Sequence, residues 1–324
     1  MVTSNLPCAL CHHHEVDVIA ERDRHGDPLR NVLCRSCGLI WVDPRPDPDA
    51  LKAFYAEKYR SEYKGAAEPK KKHCYREMHR ANERLNRLAP LYRPGDRVLD
   101  VGAGAGFFAR VLVENGVDYV GVEPNAGYAS FARDTLGLSG VEIGFLHDIE
   151  GKGVFDIITI NHVFEHLPDP NESLARMWRL LKPDGRIIME VPNAEADYHS
   201  PDKVFHFGHL YWYTPSTLAA MVVKNGMAVL DVELTRGTQH VNMVMCRSDE
   251  AQGAEWEHLY SGNYDSVQSF FQRRSKLRHY RSSRPYRRLA SKLSGYAAER
   301  RYVKRFDNKR TLIDSIPVRK IRQE

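Results

Sequence analysis

The stretch that decides the fold is residues 97–106, RVLDVGAGAG, which the helical pattern FFARVLVENG follows without a break. The first half is a short apolar run of the kind that forms a buried strand. The glycines after it let a backbone approach a ligand closely where a helix begins. The stretch therefore predicts a strand, a ligand-binding loop and a helix in direct succession.

The same alternation of strand and helix continues along the chain. YVGVEP, FDIITI and RIIMEVP have strand character, and AGYASFARDTLG between the first two is helical. AVLDVELT and HVNMVMCRS add late strands. Such alternation is typical of an α/β protein with a parallel sheet and crossover helices.

The spacing of the glycines bears on the ligand. A dinucleotide fingerprint needs glycine at position 107, where this chain has Phe107, which argues against a nicotinamide oxidoreductase. Glu123 ends the second strand, where a carboxylate can accept hydrogen bonds from both hydroxyls of a ribose. The pattern favours another cofactor that contains adenosine.

Four motifs taken in order, VLDVGAGAG, VGVEPN, FDIITINHVFEHLPDP and LKPDGRIIMEVPN, resemble the class I S-adenosylmethionine-dependent methyltransferases. The resemblance covers roughly residues 75–235. It implies a Rossmann-like, doubly wound methyltransferase sheet, an enzyme, and S-adenosylmethionine as cofactor. The cofactor-binding residues that it implies are Asp100, Gly102, Gly104, Gly106, Glu123, Asn161 and His162.

The string His162-x-x-Glu165-His166 also matches a zinc peptidase signature. A peptidase needs both histidines on one long helix, but here a strand precedes them and LPDP follows closely. The methyltransferase resemblance instead places Asn161 and His162 near the methionine part of the cofactor, with Glu165 and His166 at the start of the next helix, where they could also serve packing. Related quinone-pathway enzymes hold a divalent ion here, but His162 stands where one of their acids would be.

A hydroxyl acceptor would need a base, for which the candidates are His166, His206 and His209. We favour His209, with His166 and Glu165 as further catalytic candidates, because FHFGHLYWY follows the strand RIIMEVP and can fold back over the cleft. Sugar C-methyltransferases with a similar head carry glutamate where this chain has Gly208, and we expect no counterpart here of their long third domain. These differences favour O- or N-methylation of a sugar, glycolipid or other small metabolite.

The head, residues 1–46, contains two Cys-x-x-Cys pairs: Cys8, Cys11, Cys34 and Cys37. Four thiolates can bind one structural Zn²⁺ in a closed tetrahedral shell that leaves no position for catalysis. His12, His13 and His14 are expected to be exposed, and the two separate cysteines, Cys74 and Cys246, to be buried as small apolar residues. The head resembles that of some sugar methyltransferases.

Residues 47–96 are predicted to be a helical linker or lid, with a helix that starts near Asp47 or Asp49. Tyr55, Tyr59 and Tyr63 recur at helical spacing, which suits either packing or a cover over a substrate. The methyltransferase domain is predicted at residues 97–248. Its adenine contact is left open between Phe145 and Asp148.

The C-terminal region, residues 249–324, is predicted to be helical and basic. Fifteen Lys or Arg and only two acids lie between Arg273 and Arg310, which leaves 32 basic and 40 acidic residues elsewhere. Such a segment suits an anionic partner, namely a membrane surface, RNA or a phosphorylated substrate, although a solvated helical face is equally compatible. The chain has neither a run of about 18 apolar residues nor a signal sequence, so a cytoplasmic location is predicted, with peripheral membrane binding as an alternative.

Two other functions remain open at this point. Some RNA methyltransferases also carry a zinc module before this fold, and salt-sensitive RNA binding by the tail would favour that function. The second alternative is a scaffold protein that has lost catalytic activity, which failure to bind the cofactor would favour. The sequence leaves open the acceptor, the methylated atom and the oligomeric state.

Overall fold

The computed structural model describes residues 2–3, 6–54, 68–248 and 255–321. The chain divides into two compact units, each made of two separate stretches. The first comprises Met1–Pro48 and Ile160–Pro285, and the second comprises Asp49–Thr159 and Tyr286–Glu324.

Twelve strands and ten α-helices are found in the described residues. The strands are β1 Val2–Thr3, β2 Glu15–Arg22, β3 Pro28–Cys34, β4 Ile40–Val42, β5 Arg97–Val101, β6 Asp118–Glu123, β7 Val141–Ile143, β8 Phe155–Asn161, β9 Leu181–Pro192, β10 Tyr211–Trp212, β11 Met227–Thr235 and β12 His240–Arg247. The helices are α1 Pro48–Ala53, α2 Lys71–Leu88, α3 Phe107–Val113, α4 Ala126–Ser130, α5 Pro170–Leu180, α6 Pro215–Lys224, α7 Asn263–Gln272, α8 Lys276–Arg281, α9 Arg284–Val303 and α10 Lys309–Asp314.

The larger sheet has seven strands in the order β11-β12-β9-β8-β5-β6-β7. Strands β5, β6 and β7 pair in parallel, and helix α3 connects β5 to β6. At the other end of the order, β9, β12 and β11 pair in antiparallel fashion. The predicted α/β, Rossmann-like sheet is confirmed by this order.

Within the second unit, α2 carries one apolar face, and its buried residues include Cys74, Met78 and Leu85. Tyr92 lies after this helix, and its ring meets Phe108 of α3 edge to face at 6.1 Å between ring centroids. Burial of such side chains contributes roughly 1.5–3 kcal/mol each. Packing of α2 and α3 therefore holds the segment that begins β5.

The C-terminal helices are fastened to α2 within this unit. Lys71 donates to the carbonyl oxygen of Phe306 at 2.8 Å, and Arg76 pairs with both oxygens of the buried Glu299. The opposite face of α9 is exposed and carries Leu289 and Leu293. The helical prediction for the tail is confirmed, and whether that face meets an anionic partner stays a prediction.

The first unit contains a smaller sheet in the order β1-β2-β3-β4-β10. Strand β10 comes from the segment after β9, and it pairs antiparallel with β4, so that Tyr211 opposes Trp41. Phe205 and Trp212 pack edge to face beneath this sheet, at 4.9 Å between ring centroids. The cysteine head therefore forms one hydrophobic core with late parts of the chain.

Several local predictions can be compared with the structure. A helix begins at Pro48, as expected from the region of Asp47 and Asp49. Cys74 is fully buried, whereas Cys246, near the end of β12, is only half-buried, contrary to the prediction. The tyrosines predicted to form a helical stripe, Tyr55, Tyr59 and Tyr63, lie outside the described residues. In the described part of the chain, no helix is both long enough and apolar enough to cross a membrane.

Substitution of Gly106 tests how tightly the loop after β5 is packed. Its φ is +78°, and a Cβ there would lie 2.8 Å from Ala132 Cβ and 2.8 Å from Leu138 Cδ1. Gly106→Ala should therefore lower the free energy of unfolding by about 2–4 kcal/mol, from left-handed strain plus overpacking. Urea denaturation measures this loss.

Gly137→Ala is the matched control, because Gly137 has φ +75° but a Cβ there would meet no atom within 4 Å. It should cost only the conformational strain, about 1–2 kcal/mol. Equal losses for the two variants would contradict the packing argument.

Candidate functional site

The glycine-rich loop between β5 and α3 is held by backbone hydrogen bonds. The amides of Gly102 and Ala103 both donate to the carbonyl oxygen of Val122, at 2.8 and 2.9 Å. Gly102, Gly104 and Gly106 all have positive φ. The predicted glycines therefore form a tight turn directly beside the end of β6.

Glu123 at the end of β6 is tied to this loop. Its side chain is buried, and Oε2 accepts a hydrogen bond from the Gly104 amide at 2.9 Å while Oε1 accepts from the Asn125 amide at 3.2 Å. A carboxylate offers about four lone-pair positions, so both oxygens can still accept a bond from a hydroxyl. This buried, fixed carboxylate fits the ribose contact expected of an adenosine cofactor.

Asp100 is the acid of β5, and its side chain contacts a tyrosine of the neighbouring strand β6. It is buried and accepts a hydrogen bond from the Tyr119 hydroxyl at 2.8 Å. Burial raises the pKa of Asp100 to about 6. A Cβ at Gly121 would lie 2.6 Å from the Tyr119 hydroxyl, so glycine at this position makes room for the pair. Asp100 thus ties the end of β5 to Tyr119 of β6.

The region of Phe145 was expected to contain the adenine contact. The Asp148 carboxylate accepts a hydrogen bond from the Phe145 amide at 2.8 Å, and the Phe145 ring stacks on His147 at 5.4 Å between centroids. Asp148 therefore closes its own turn, and the adenine contact stays undecided.

In the first unit, β8 ends at Asn161 and the chain turns sharply at His162, whose φ is +55°. The His162 amide donates to the Glu190 carbonyl oxygen at 2.8 Å, and its Nε2 lies 3.1 Å from the Glu190 carboxylate. Burial lowers the pKa of His162, but Glu165 and Glu190 together raise it to about 9. The ring is therefore a cation at neutral pH, between two buried acids.

Glu165 is the second of these acids, with a side chain only 1% exposed. Three imidazole nitrogens approach its Oε1: His162 Nδ1 at 3.6 Å, His209 Nε2 at 3.7 Å and His166 Nε2 at 3.8 Å. Neither carboxylate oxygen has a hydrogen-bond partner within the described part of the chain. His166 is oriented from its other side, where Nδ1 contacts the Gly208 carbonyl oxygen.

His209, the favoured base, is also part of this cluster. Its side chain is 12% exposed. Burial, with the neighbouring His206 as a second cause, holds its pKa well below the usual range. The His206 and His209 rings are 3.7 Å apart between centroids. A neutral imidazole next to a buried carboxylate can accept a proton.

The structure adds two residues that the sequence did not indicate, Glu190 on β9 and His240 at the start of β12. His240 Nδ1 lies 3.6 Å from Glu190 Oε1, and its ring meets His162 edge to face. Glu190 did leave a signal, because it is the only charged residue in the apolar run IIMEV. A single acid in a buried strand is unusual unless it has partners.

Two trios in this cluster have ligand atoms within 4.8 Å of one another: His162 with Glu190 and His240, and Glu165 with His166 and His209. Imidazole and carboxylate are suitable ligands for divalent metals. The cluster is thus compatible both with proton transfer and with a bound cation.

The prediction that Glu165 and His166 begin the next helix is wrong. These residues lie in a separate 3₁₀ turn, Phe164–His166, and α5 begins only at Pro170, capped by the side chain of Asp169. Pro168 and Pro170 explain the break, because a residue before proline avoids the helical conformation. The two histidines of the peptidase signature are therefore not on one helix.

The four cysteines of the head converge. All four sulfurs lie within 4.8 Å of one another, with Cys8 and Cys37 3.5 Å apart and Cys11 and Cys34 3.4 Å apart. The thiols are free, and such separations are close to those around one tetrahedral zinc with Zn–S bonds of about 2.3 Å. His12, His13 and His14 are exposed, as predicted. The residues fit a closed structural zinc site.

Polar contacts fasten the cysteine knuckles to helices α6 and α7. Lys224 donates to the carbonyl oxygens of Ala9 and Leu10, at 2.9 and 2.8 Å. Asn263 donates to the Cys37 carbonyl oxygen at 2.8 Å. The two cysteine loops are thus fixed to the same unit that carries His209.

Known proteins of similar sequence include several methyltransferases. Residues 73–232 match the family model of a methyltransferase domain. The chain is 26% identical over 249 residues to C-methyltransferase NovU of Streptomyces niveus, covering 69% of this chain and 56% of that protein. It is 33% identical over 144 residues to the ubiquinone/menaquinone biosynthesis C-methyltransferase UbiE of Stenotrophomonas maltophilia, covering 40% of this chain and 55% of that protein.

Among solved structures, the chain is similar to the 1,6-didemethyltoxoflavin-N1-methyltransferase of Burkholderia thailandensis, crystallised with 1,6-didemethyltoxoflavin and S-adenosylhomocysteine. The TM-score is 0.48 at 22% identity, and the match covers 68% of this chain and 96% of that one. The match to the family model identifies residues 73–232 as a methyltransferase domain. The chain spans about half the length of the curated relatives that it matches.

Cys34→Ser should remove the zinc that the head is expected to bind, because three thiolates and a hydroxyl hold zinc far more weakly than four thiolates. Since Lys224 and Asn263 anchor the knuckles, we expect a lower unfolding midpoint as well. Metal content after dialysis and thermal unfolding measure the two effects.

Cys246→Ser is the matched control, because Cys246 lies outside the cluster. It should keep the wild-type metal content. A Cys34→Ser protein that retains one equivalent of zinc would contradict the four-thiolate site.

Proposed function

We propose that this protein is an S-adenosylmethionine-dependent methyltransferase that methylates an oxygen or nitrogen of a small acceptor, such as a sugar, a glycolipid or another small metabolite. The observation that carries the proposal is the buried Glu123 carboxylate, fixed to the Gly104 amide at the end of β6. The relatives that are named C-methyltransferases leave the methylated atom open, whereas Gly208 lacks the carboxylate that the sugar C-methyltransferases carry.

The cofactor, when bound, supplies an electrophilic methyl group on a sulfonium. We assign Asp100, Gly102, Gly104, Gly106 and Glu123 to holding it, with Asp100 positioned by its hydrogen bond from Tyr119. Asn161 and His162 are assigned to its methionine part.

His209 would remove the acceptor proton. The proton released by the acceptor oxygen or nitrogen would move to the His209 imidazole as the acceptor takes the methyl group that the bound cofactor would supply. Glu165, whose Oε1 is 3.7 Å from His209 Nε2, would stabilise the resulting imidazolium. His166, fixed by Gly208, holds Glu165 from another side.

The zinc of the head has a structural role in this proposal. Its shell would be filled by Cys8, Cys11, Cys34 and Cys37, which leaves no open position for an acceptor. The head instead stabilises the segment that carries His209.

S-adenosylhomocysteine should bind the purified protein with a micromolar dissociation constant, measured by isothermal titration calorimetry. Glu123→Ala should weaken that binding by about 1–3 kcal/mol, since it leaves the ribose hydroxyls without their acceptor. Glu142→Ala, which removes an exposed carboxylate from the neighbouring strand β7, should bind as the wild type does.

If the folded wild-type protein does not bind S-adenosylhomocysteine, the enzymatic function is refuted and a scaffold function is favoured. Equal weakening by the two glutamate variants would show that Glu123 acts only through general charge.

His209→Gln should reduce methyl transfer by roughly 10²–10⁴-fold, as expected for loss of a general base. Transfer of tritium from S-[methyl-³H]adenosylmethionine to sugars, sugar phosphates, phenols and amines measures the rate. S-adenosylhomocysteine affinity should stay unchanged.

His258→Gln is the control, because His258 is exposed and outside the cluster. If the His209 variant keeps the wild-type rate on an accepted substrate, another group is the base. If tritium is transferred to RNA and to none of the small acceptors, the proposed acceptor class is wrong and RNA is the substrate.

A further inference from the structure

The first unit contains a cavity of about 510 Å³ between the segment after β9 and helices α7 and α8. Its volume is within the range of roughly 300–1,000 Å³ that is typical of small-molecule sites. Its lining is rich in guanidinium groups, with Arg273, Arg274, Arg278 and Arg284 against two acids, Glu195 and Asp197. Neither the cofactor loop nor the histidine cluster includes these residues.

The two acids are already engaged. Asp197 lies 3.5 Å from Arg274 Nε and also pairs with Arg284, while Glu195 accepts a hydrogen bond from the Ser266 hydroxyl at 2.8 Å. In the described residues, Arg273 and Arg278 have no acidic partner, and the cavity therefore has an excess of two positive charges. A phosphate monoester carries about −1.5 to −2 at neutral pH, which matches this excess better than a single carboxylate does.

Arg274 provides a second, independent observation. Its side chain is only 8% exposed, and its guanidinium carbon lies 4.9 Å from the Phe270 ring centre, with Nη2 on the His199 carbonyl oxygen. Its Nη1 is buried and has no hydrogen-bond partner among the described residues. A buried guanidinium donor without an acceptor is costly, and a phosphate oxygen in the cavity would satisfy it.

The rest of the wall suits the group that carries the phosphate. Phe270 and Pro201 offer apolar surface, and Ser275 and Ser282 add hydroxyls. The volume is far larger than one phosphate, so there is room for a ring-bearing group.

We propose that this cavity binds a phosphate ester of a ring-bearing small molecule, and that the methyl acceptor belongs to this class. The second part rests on the proposed methyltransferase function; the first does not. Arg273 and Arg278 would meet the phosphate from the open side, and Arg274 from the buried side.

Calorimetric titration with uridine diphosphate and with glucose 1-phosphate tests the proposal, because these two probes distinguish a nucleotide from a sugar phosphate. Uridine and glucose are the uncharged controls and should not bind. Arg273→Gln and Arg278→Gln affect exposed side chains, so the fold should be kept, and each should weaken binding of the preferred phosphate at least 10-fold. Arg281→Gln removes an exposed arginine of α8 outside the lining and should leave the affinity unchanged.

Failure of both phosphates to bind the wild type at millimolar concentration would overturn the proposal, as would equal weakening by Arg281→Gln. S-adenosylhomocysteine titration of the same samples separates the two ideas. If the protein binds the cofactor product but neither phosphate, only the cavity proposal is refuted. If it binds a phosphate but not the cofactor product, the cavity site is supported, whereas the methyltransferase function and the acceptor assignment are refuted.

Discussion

Two residues of β10, Tyr211 and Trp212, pair with Trp41 and Ile40 of β4, and this short ladder joins the head to a late part of the chain. Leu210, directly before it, is held on both sides: its amide donates to the Glu165 carbonyl oxygen at 2.9 Å, and its carbonyl accepts from the Val42 amide at 3.0 Å. Each such bond contributes only about 0.5–1.5 kcal/mol. Together they fix the backbone next to His209, so the geometry of the histidine cluster depends on an intact head.

The chemistry of the first unit follows from burying two carboxylates. Glu165 and Glu190 are both almost fully inaccessible, and an isolated buried charge would be prohibitively unfavourable. Positive charge on His162 compensates part of this cost, while His209 and His240 have pKa values lowered chiefly by burial. One cluster thus contains both a charged and a neutral imidazole, the combination that proton transfer requires.

Sequence reasoning succeeded where the signal was local. Apolar runs bounded by glycine predicted β5, β6, β8 and β9, and the spacing of Cys34 and Cys37 indicated a knuckle that the structure contains. It could not place β10 in the head sheet, because two residues carry no periodicity and their partners are remote in sequence. His240 was missed for the same reason: only the antiparallel pairing of β12 with β9 brings it to Glu190.

The anchoring of the cysteine knuckles has a consequence for biosynthesis. All four cysteines are translated before Asn263, which binds the Cys37 carbonyl and follows it 226 positions later. At about 5–20 residues per second, that interval lasts roughly 10–45 s. Until then the nascent head relies on its own ladder of β2, β3 and β4 and on the sulfur cluster, without the strand and helices that cover it later. The zinc proposed for these four cysteines would therefore stabilise the nascent head before its later cover has been made.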